Sequence, residues 1–124
     1  MSDYFGRISN TVHHDDLFAG PETPVRIENV SIKGGAEFSR GCILAGTSGL
    51  FEPVKVAADA EKVLVIAAED FSSDSSETAV TSVYTSGDFH TEKLSTGASV
   101  VSAADFKEPL RKVGILQTAL KEIF

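Results

Sequence analysis

The chain has 124 residues, 42% of them hydrophobic, with a formal net charge of −7, a single cysteine and no tryptophan. That length suits one domain, and a chain of this size buries roughly two-thirds of its unfolded surface, enough for a core. Its eleven Lys and Arg are scattered among eighteen Asp and Glu, which argues against nucleic acid, since phosphate contacts need clustered cations. One cysteine excludes an internal disulfide, and no run of about 20 apolar residues offers a membrane-spanning helix. The N-terminus lacks a basic n-region and a continuous apolar h-region, so no secretory signal is read and a reducing cytosol is the expected compartment.

Residues 1–24 read as a flexible arm. Isolated hydrophobics (Tyr4, Phe5, Ile8, Val12, Leu17, Phe18) sit among Ser, Asn, Asp and His, and the segment closes with Gly20-Pro21-Glu22-Thr23-Pro24. Two closely spaced prolines fix φ and push the preceding residues to extended geometry, marking a hinge between arm and body. The four-residue spacing of Tyr4, Ile8 and Val12 matches one helical face, but Gly6 weakens that reading. The alternative is that the segment packs on its own body as an extra strand or helix. His13-His14-Asp15-Asp16 offers four potential ligands in a row. Adjacent residues on an extended chain point to opposite sides, so a solvated stretch is the better reading than a metal site.

From Val25 the pattern turns to β. Val25 to Ile32 alternates apolar with polar and ends at Gly34-Gly35, predicting a half-buried strand. Phe38 to Gly46 is a second apolar run bracketed by glycines. It has neither Gly-Lys-Ser/Thr nor GxGxxG spacing, so a phosphate loop lacks its parts. Cys42 lies within that run, where a thiol behaves as a small hydrophobe, with only Arg40 near in sequence to lower its pKa. Phe51 to Val56 is a short strand interrupted by Pro53, which predicts an edge or a bulge. Ala57 to Lys62 reads as a small charged turn.

Val63-Leu64-Val65-Ile66 is a continuous, largely β-branched run, the signature of a strand buried on both faces. Ala79 to Tyr84 predicts its partner, ending at a turn over Ser86-Gly87-Asp88. Between them, Asp70, Ser72 and Asp74 imitate the start of a calcium loop, but the sixth position is Ser75 and the twelfth Thr81. The required Gly and Glu are missing, so a solvated loop is expected. Phe89 to Leu94 predicts another short strand, with His90 as a surface or turn residue. Ser102 and Asp105 form a capping-box-like start for one short helix over about 103–113. Pro109 requires that helix to begin near Glu108 or break there, and Gly114 suits its C-terminal cap. Ile115-Leu116 resumes as a strand, and Ala119 to Phe124 continues it or forms a last helical turn. The expected fold class is therefore mainly β, a β-rich α+β single small domain over 25–124 behind the arm.

Four segments taken in order carry a resemblance. Arg40-Gly41-Cys42-Ile43-Leu44, Val65-Ile66-Ala67-Ala68-Glu69-Asp70, Val83-Tyr84-Thr85-Ser86-Gly87-Asp88-Phe89 and Leu110-Arg111-Lys112-Val113-Gly114-Ile115 together resemble the head decoration proteins of lambda-like phages. In that family a G-x-(I/V)-L strand, an (I/L)-A-x-E-D strand end, a Y-x-x-G-x-(F/V) turn and an L-(R/K)-x-x-G-I close occur in this order. The likeness spans about Val25 to Leu116, without the arm or the tail.

The resemblance implies a mainly β homotrimer without enzymatic activity, cofactor or metal, which sits on the outside of an expanded phage head, a virion protein made in the host cytoplasm. It cements the coat protein against DNA pressure. It also implies that the arm adds a strand to the coat protein, a mode in which backbone hydrogen bonds give strength and alternate side chains give specificity. Tyr4, Phe5, Ile8 and Val12 are then the expected capsid-binding residues. The alternative from the residues alone is a β-domain binding a small molecule or carbohydrate, its pocket lined by Phe38, Phe51 and Phe89. A catalytic reading requires His90 with Glu92, or Cys42 with a distant His, to meet in space.

Overall fold

The computed structural model describes residues 17–19, 23–47, 49–72 and 78–118. Tyr4, Phe5, Ile8, Val12, the His13–Asp16 stretch and residues 119–124 lie outside them. In chain order the strands are β1 (Arg26–Ile32), β2 (Glu37–Phe38), β3 (Ile43–Thr47), β4 (Leu50–Pro53), β5 (Val63–Ala67), β6 (Phe71–Ser72), β7 (Ala79–His90) and β8 (Ile115–Thr118). One α-helix, α1 (Lys107–Arg111), precedes β8, and 3-10 turns occupy Ala57–Glu61, Thr91–Lys93 and Ala103–Phe106. The chain is a mainly β single small domain with a short helix.

The strand pairing closes on itself. β1, β4, β3, β5 and β7 are hydrogen-bonded in that order, and β7 returns to pair with β1. The β1–β4 contact is parallel at Ser31↔Leu50 and Ile32↔Phe51; the other four are antiparallel. The result is a small five-stranded barrel, with β8 added in parallel to the far end of β7 from Gly87↔Ile115 to His90↔Thr118. β2 and β6 form a separate two-stranded ribbon, on which the rings of Phe38 and Phe71 stack.

Side-chain alternation divides the core into two layers. Ile32, Leu44, Phe51, Val65, Ala67 and Val83 fill the barrel interior. Ile43, Ala45, Leu64, Ile66 and Tyr84 point outward, beneath Leu94, Val101, Phe106, Leu110 and Ile115. This explains the continuous apolar run of β5: Val65 and Ala67 face in, while Leu64 and Ile66 face the helical cover, and all four are buried. Phe106 and Leu110 are fully buried in that cover, each contributing about 1.5–3 kcal/mol by removal of apolar surface from water.

The helix begins as its residues predict. The Asp105 carboxylate accepts the Ser102 N–H at 2.9 Å. Pro109 is the third residue of α1, in the first turn, where a missing N–H leaves no intrahelical bond unmade. Gly114, at φ 90°, ends the segment and donates to the Arg111 carbonyl at 3.1 Å.

Several expectations are corrected. β7 does not turn at Ser86-Gly87-Asp88; it runs twelve residues to His90, with Gly87 at φ 147° inside it, because partners exist on both sides of that point. Phe89 and His90 therefore end β7, and Thr91–Lys93 is a 3-10 turn rather than strand. Pro53 does not mark an edge: β4 lies between β1 and β3, and Pro53 is its last residue, beyond the two-residue contact with β1. The first strand is not half-buried along its length, since Arg26 to Asn29 are exposed and only Ile32 is fully covered. Finally, Leu17–Ala19, placed by sequence in the arm, belongs to the body, as described next.

Candidate functional site

The arm joins the barrel at a definite anchor. Phe18 pairs with Phe89 in an antiparallel bridge. The Ala19 N–H donates to the Asp88 carbonyl at 2.7 Å, and the His90 N–H donates to the Leu17 carbonyl at 2.8 Å. β7 is open to this bridge because it runs on past its last partners in β5 and β1, at Tyr84 and Ser86. Leu17 is buried in the outer core layer. The Phe18 ring packs against Tyr84 edge-on at 5.1 Å between centroids and against Phe89 at 5.2 Å. The proline pair at 21 and 24 therefore follows the anchor instead of separating arm from body.

Arg40 caps this aromatic cluster. Its Nη2 donates to the Tyr84 hydroxyl at 2.9 Å, and its guanidinium lies 5.8 Å from the Phe18 ring centre and 5.7 Å from that of Tyr84. The Arg40 backbone N–H donates to the Asp70 carboxylate at 2.8 Å. One residue thus ties the loop before β3 to the connection between β5 and β6 and to β7. At the same end of β7, the Gly87 N–H donates to the Gly114 carbonyl at 3.3 Å, and Thr118 Oγ1 donates to Asp88 at 2.8 Å. The anchor went unread because Phe18 and Phe89 are 71 positions apart in the sequence; the available signal was the apolar run Leu17-Phe18-Ala19 just before the prolines.

Other sequence candidates take structural places. Cys42 is buried in the inner layer, and burial pushes its thiol up to about 11, partly offset by a hydrogen bond with Ser95. The Asp70 carboxylate serves the Arg40 N–H, and Asp74 lies outside the described residues. Among the described residues no three His, Cys, Asp or Glu side chains gather as a metal site. His90 Nδ1 is buried with no hydrogen-bond partner among the described residues. Phe38, Phe51 and Phe89 do not line one pocket: the first two belong to the inner layer and Phe89 to the outer, on opposite faces of the barrel wall.

Open depressions mark the surface among the described residues. One of about 250 Å³ lies between Lys33, Gly34, Glu52, Lys55 and Gly97, where Lys33 and Lys55 each approach Glu52 at 3.9 Å. A second lies beside the Phe38–Phe71 stack, and a third between Pro24, Arg26, Ser86 and Val113. Compared with known proteins, the chain matches no protein-family model and no curated protein.

Proposed function

We propose that this protein is a capsid decoration protein, which binds the outside of an expanded phage head as a trimer and stabilises the coat protein there. The observation that carries the reading is the meeting of the four resembling segments around one frame. Arg40 of the first bonds Asp70 of the second and Tyr84 of the third, and Gly87 of the third pairs with Ile115 of the fourth. Residues shared as contacts, rather than as a cleft lining, suit a protein whose work is adhesion.

The anchor supports the same reading. A protein that holds a coat together through an arm needs the arm's root tied to its body, and Leu17–Ala19 is tied by two backbone hydrogen bonds and a clamped Phe18. Ordering an arm on binding costs roughly 2–5 kcal/mol of the gross interaction energy. Three arms on one trimer offset that, because the second and third bind intramolecularly once the first is docked.

The anchor also places the cut for the test. Deleting residues 2–16 removes Tyr4, Phe5, Ile8 and Val12 but spares Leu17–Ala19. The expected product keeps the far-UV spectrum and thermal midpoint of the full chain and no longer co-sediments with expanded capsids. Capsid binding at full-length affinity by this truncation rules out the arm as the docking element. Failure of the intact chain to bind procapsids or expanded heads rules out the function.

A further inference from the structure

We propose that Arg40 is the positioning residue of the arm: with Gly41 it seats Leu17 and Phe18 against β7 as a latch that opens independently of the barrel and fixes where the arm leaves the body. The bridge sets the point of departure. Phe18 stands opposite Phe89, and the Leu17 carbonyl meets the His90 N–H. The arm is therefore rooted at the His90 end of β7, where Thr118 pairs with His90 from β8. Residues 40 and 41 make the seat. A Cβ at Gly41 would lie 3.3 Å from Leu17 Cδ1 and 2.8 Å from the Lys93 carbonyl oxygen, so Leu17 rests on bare backbone there. Arg40 is held at both ends, its N–H by the Asp70 carboxylate and its Nη2 by the Tyr84 hydroxyl, while its guanidinium lies over the Phe18 ring. A planar guanidinium reaches hydroxyl and ring together, which a compact ammonium does not.

The barrel does not depend on this latch. β1, β4, β3, β5 and β7 close their circuit of hydrogen bonds without Leu17–Ala19, and Gly87 to His90 are paired with β8 whether or not the anchor is in place. A segment held by two backbone bonds, one buried leucine and one clamped ring is a unit that opens locally, at less cost than the fold as a whole. The next hydrogen bond described along the chain is at Pro24, whose carbonyl accepts from Ser86 Oγ at 2.7 Å. Opening the latch therefore moves the root of the arm from Leu17 to Pro24 and lengthens its tether. The effective concentration of a tethered element falls with tether length once the tether spans its site. A closed latch keeps the second and third arms of a trimer close to their sites after the first has docked.

The inference deepens the function proposed above and rests on that reading for the arm's role, while the latch itself is tested without a capsid. Amide hydrogen exchange of the full chain is followed at rising urea for Ala19 and His90, whose N–H groups make the two anchor bonds, and for Ala67, whose N–H donates to the Cys42 carbonyl at 2.9 Å in the barrel wall. Exchange at Ala19 and His90 is expected to be faster than at Ala67 and nearly insensitive to urea below the unfolding transition, whereas Ala67 follows global unfolding. Arg40→Gln is expected to speed exchange at Ala19 and His90 by at least about tenfold, through loss of a hydrogen bond from a charged donor. It is also expected to weaken co-sedimentation with expanded capsids by about threefold, through the longer tether on the second and third arms. Equal exchange and equal urea dependence at Ala19, His90 and Ala67 overturns the independent latch. Unchanged exchange at Ala19 and His90 in Arg40→Gln overturns the role of Arg40, and full-strength capsid binding by a variant with a loosened anchor overturns the positioning of the arm. A full chain that shows the latch yet ignores capsids leaves the latch standing and removes the capsid reading.

Discussion

The Arg40 guanidinium donates to the Tyr84 hydroxyl at 2.9 Å while lying within 6 Å of the centres of both the Tyr84 and Phe18 rings, at 5.7 and 5.8 Å. A hydrogen bond to a cation is worth more than a neutral one, and cation–π attraction adds to it when the site is partly desolvated. The pair therefore locks the segment before β1 onto β7. Tyr84→Phe is expected to lower stability by about 1.5–2 kcal/mol, read as a shift in the urea midpoint at constant slope. Arg40→Lys is expected to cost at least as much, because a compact ammonium cannot both reach the hydroxyl and cover two rings.

Gly46 is small for a packing reason. It pairs with Phe51, and a Cβ there would lie 2.5 Å from the Phe51 ring. Gly46→Ala forces that ring out of the barrel interior and is expected to cost about 1–3 kcal/mol. Phe51→Leu in the Gly46→Ala background should recover part of the loss, a non-additivity measured by the double-mutant cycle.

Asp59 organises the 3-10 turn before β5. Its carboxylate accepts the Lys55 and Val56 N–H groups at 2.8 and 3.2 Å and meets the Lys62 ammonium at 2.8 Å. Burial pushes its pKa up, but the Lys55, Lys62 and Val56 hydrogen bonds outweigh that and hold it below the ordinary 3.8. A depressed folded pKa means stability that is present above pH 3.8 and lost as pH falls through the lower folded value. Thermal midpoints of wild type and Asp59→Asn should accordingly differ at pH 6 and converge towards pH 2. The Lys62 pKa is raised above 10.5, first by its hydrogen bond to Asp59, so its share persists below that pH and is lost only as pH climbs through the raised value.

Cys42 should be silent in the native state. With its pKa pushed up to about 11 by burial, the thiolate fraction at pH 8 is about one in a thousand, and the side chain is enclosed by the inner layer. A thiol reagent is expected to label Cys42 only as fast as the barrel unfolds, with rates that rise in step with urea. Rapid stoichiometric labelling in buffer contradicts the burial described here.

Much of the architecture is local enough to read from residues. β5 announces itself because a strand buried on two faces needs apolar residues at every position, as Leu64 to Ala67 have. Ser102, Asp105, Pro109 and Gly114 mark the start and end of the helical segment through backbone bonds between near neighbours. Less legible was anything decided by a distant partner. Ser86-Gly87-Asp88 carries turn chemistry, yet pairing with β8 on one side and with Leu17–Ala19 on the other keeps β7 extended through it.

The sequence by itself determined a mainly β domain with a short helix near its end, and the approximate positions of β1, β3, β4, β5 and the first half of β7, since these follow from short-range periodicity and from turn chemistry within a few positions. Only the tertiary structure decided that the sheet closes into a barrel, that Phe18 belongs to the body beneath Arg40, and that the apolar side of β1 is left bare at Ile27. Those outcomes depend on which distant surfaces meet. An alternating pattern states that a face is apolar but not whether another part of the chain covers it: Tyr84 is covered by Phe18 and Arg40, whereas Ile27, Leu50 and Val80 stay exposed.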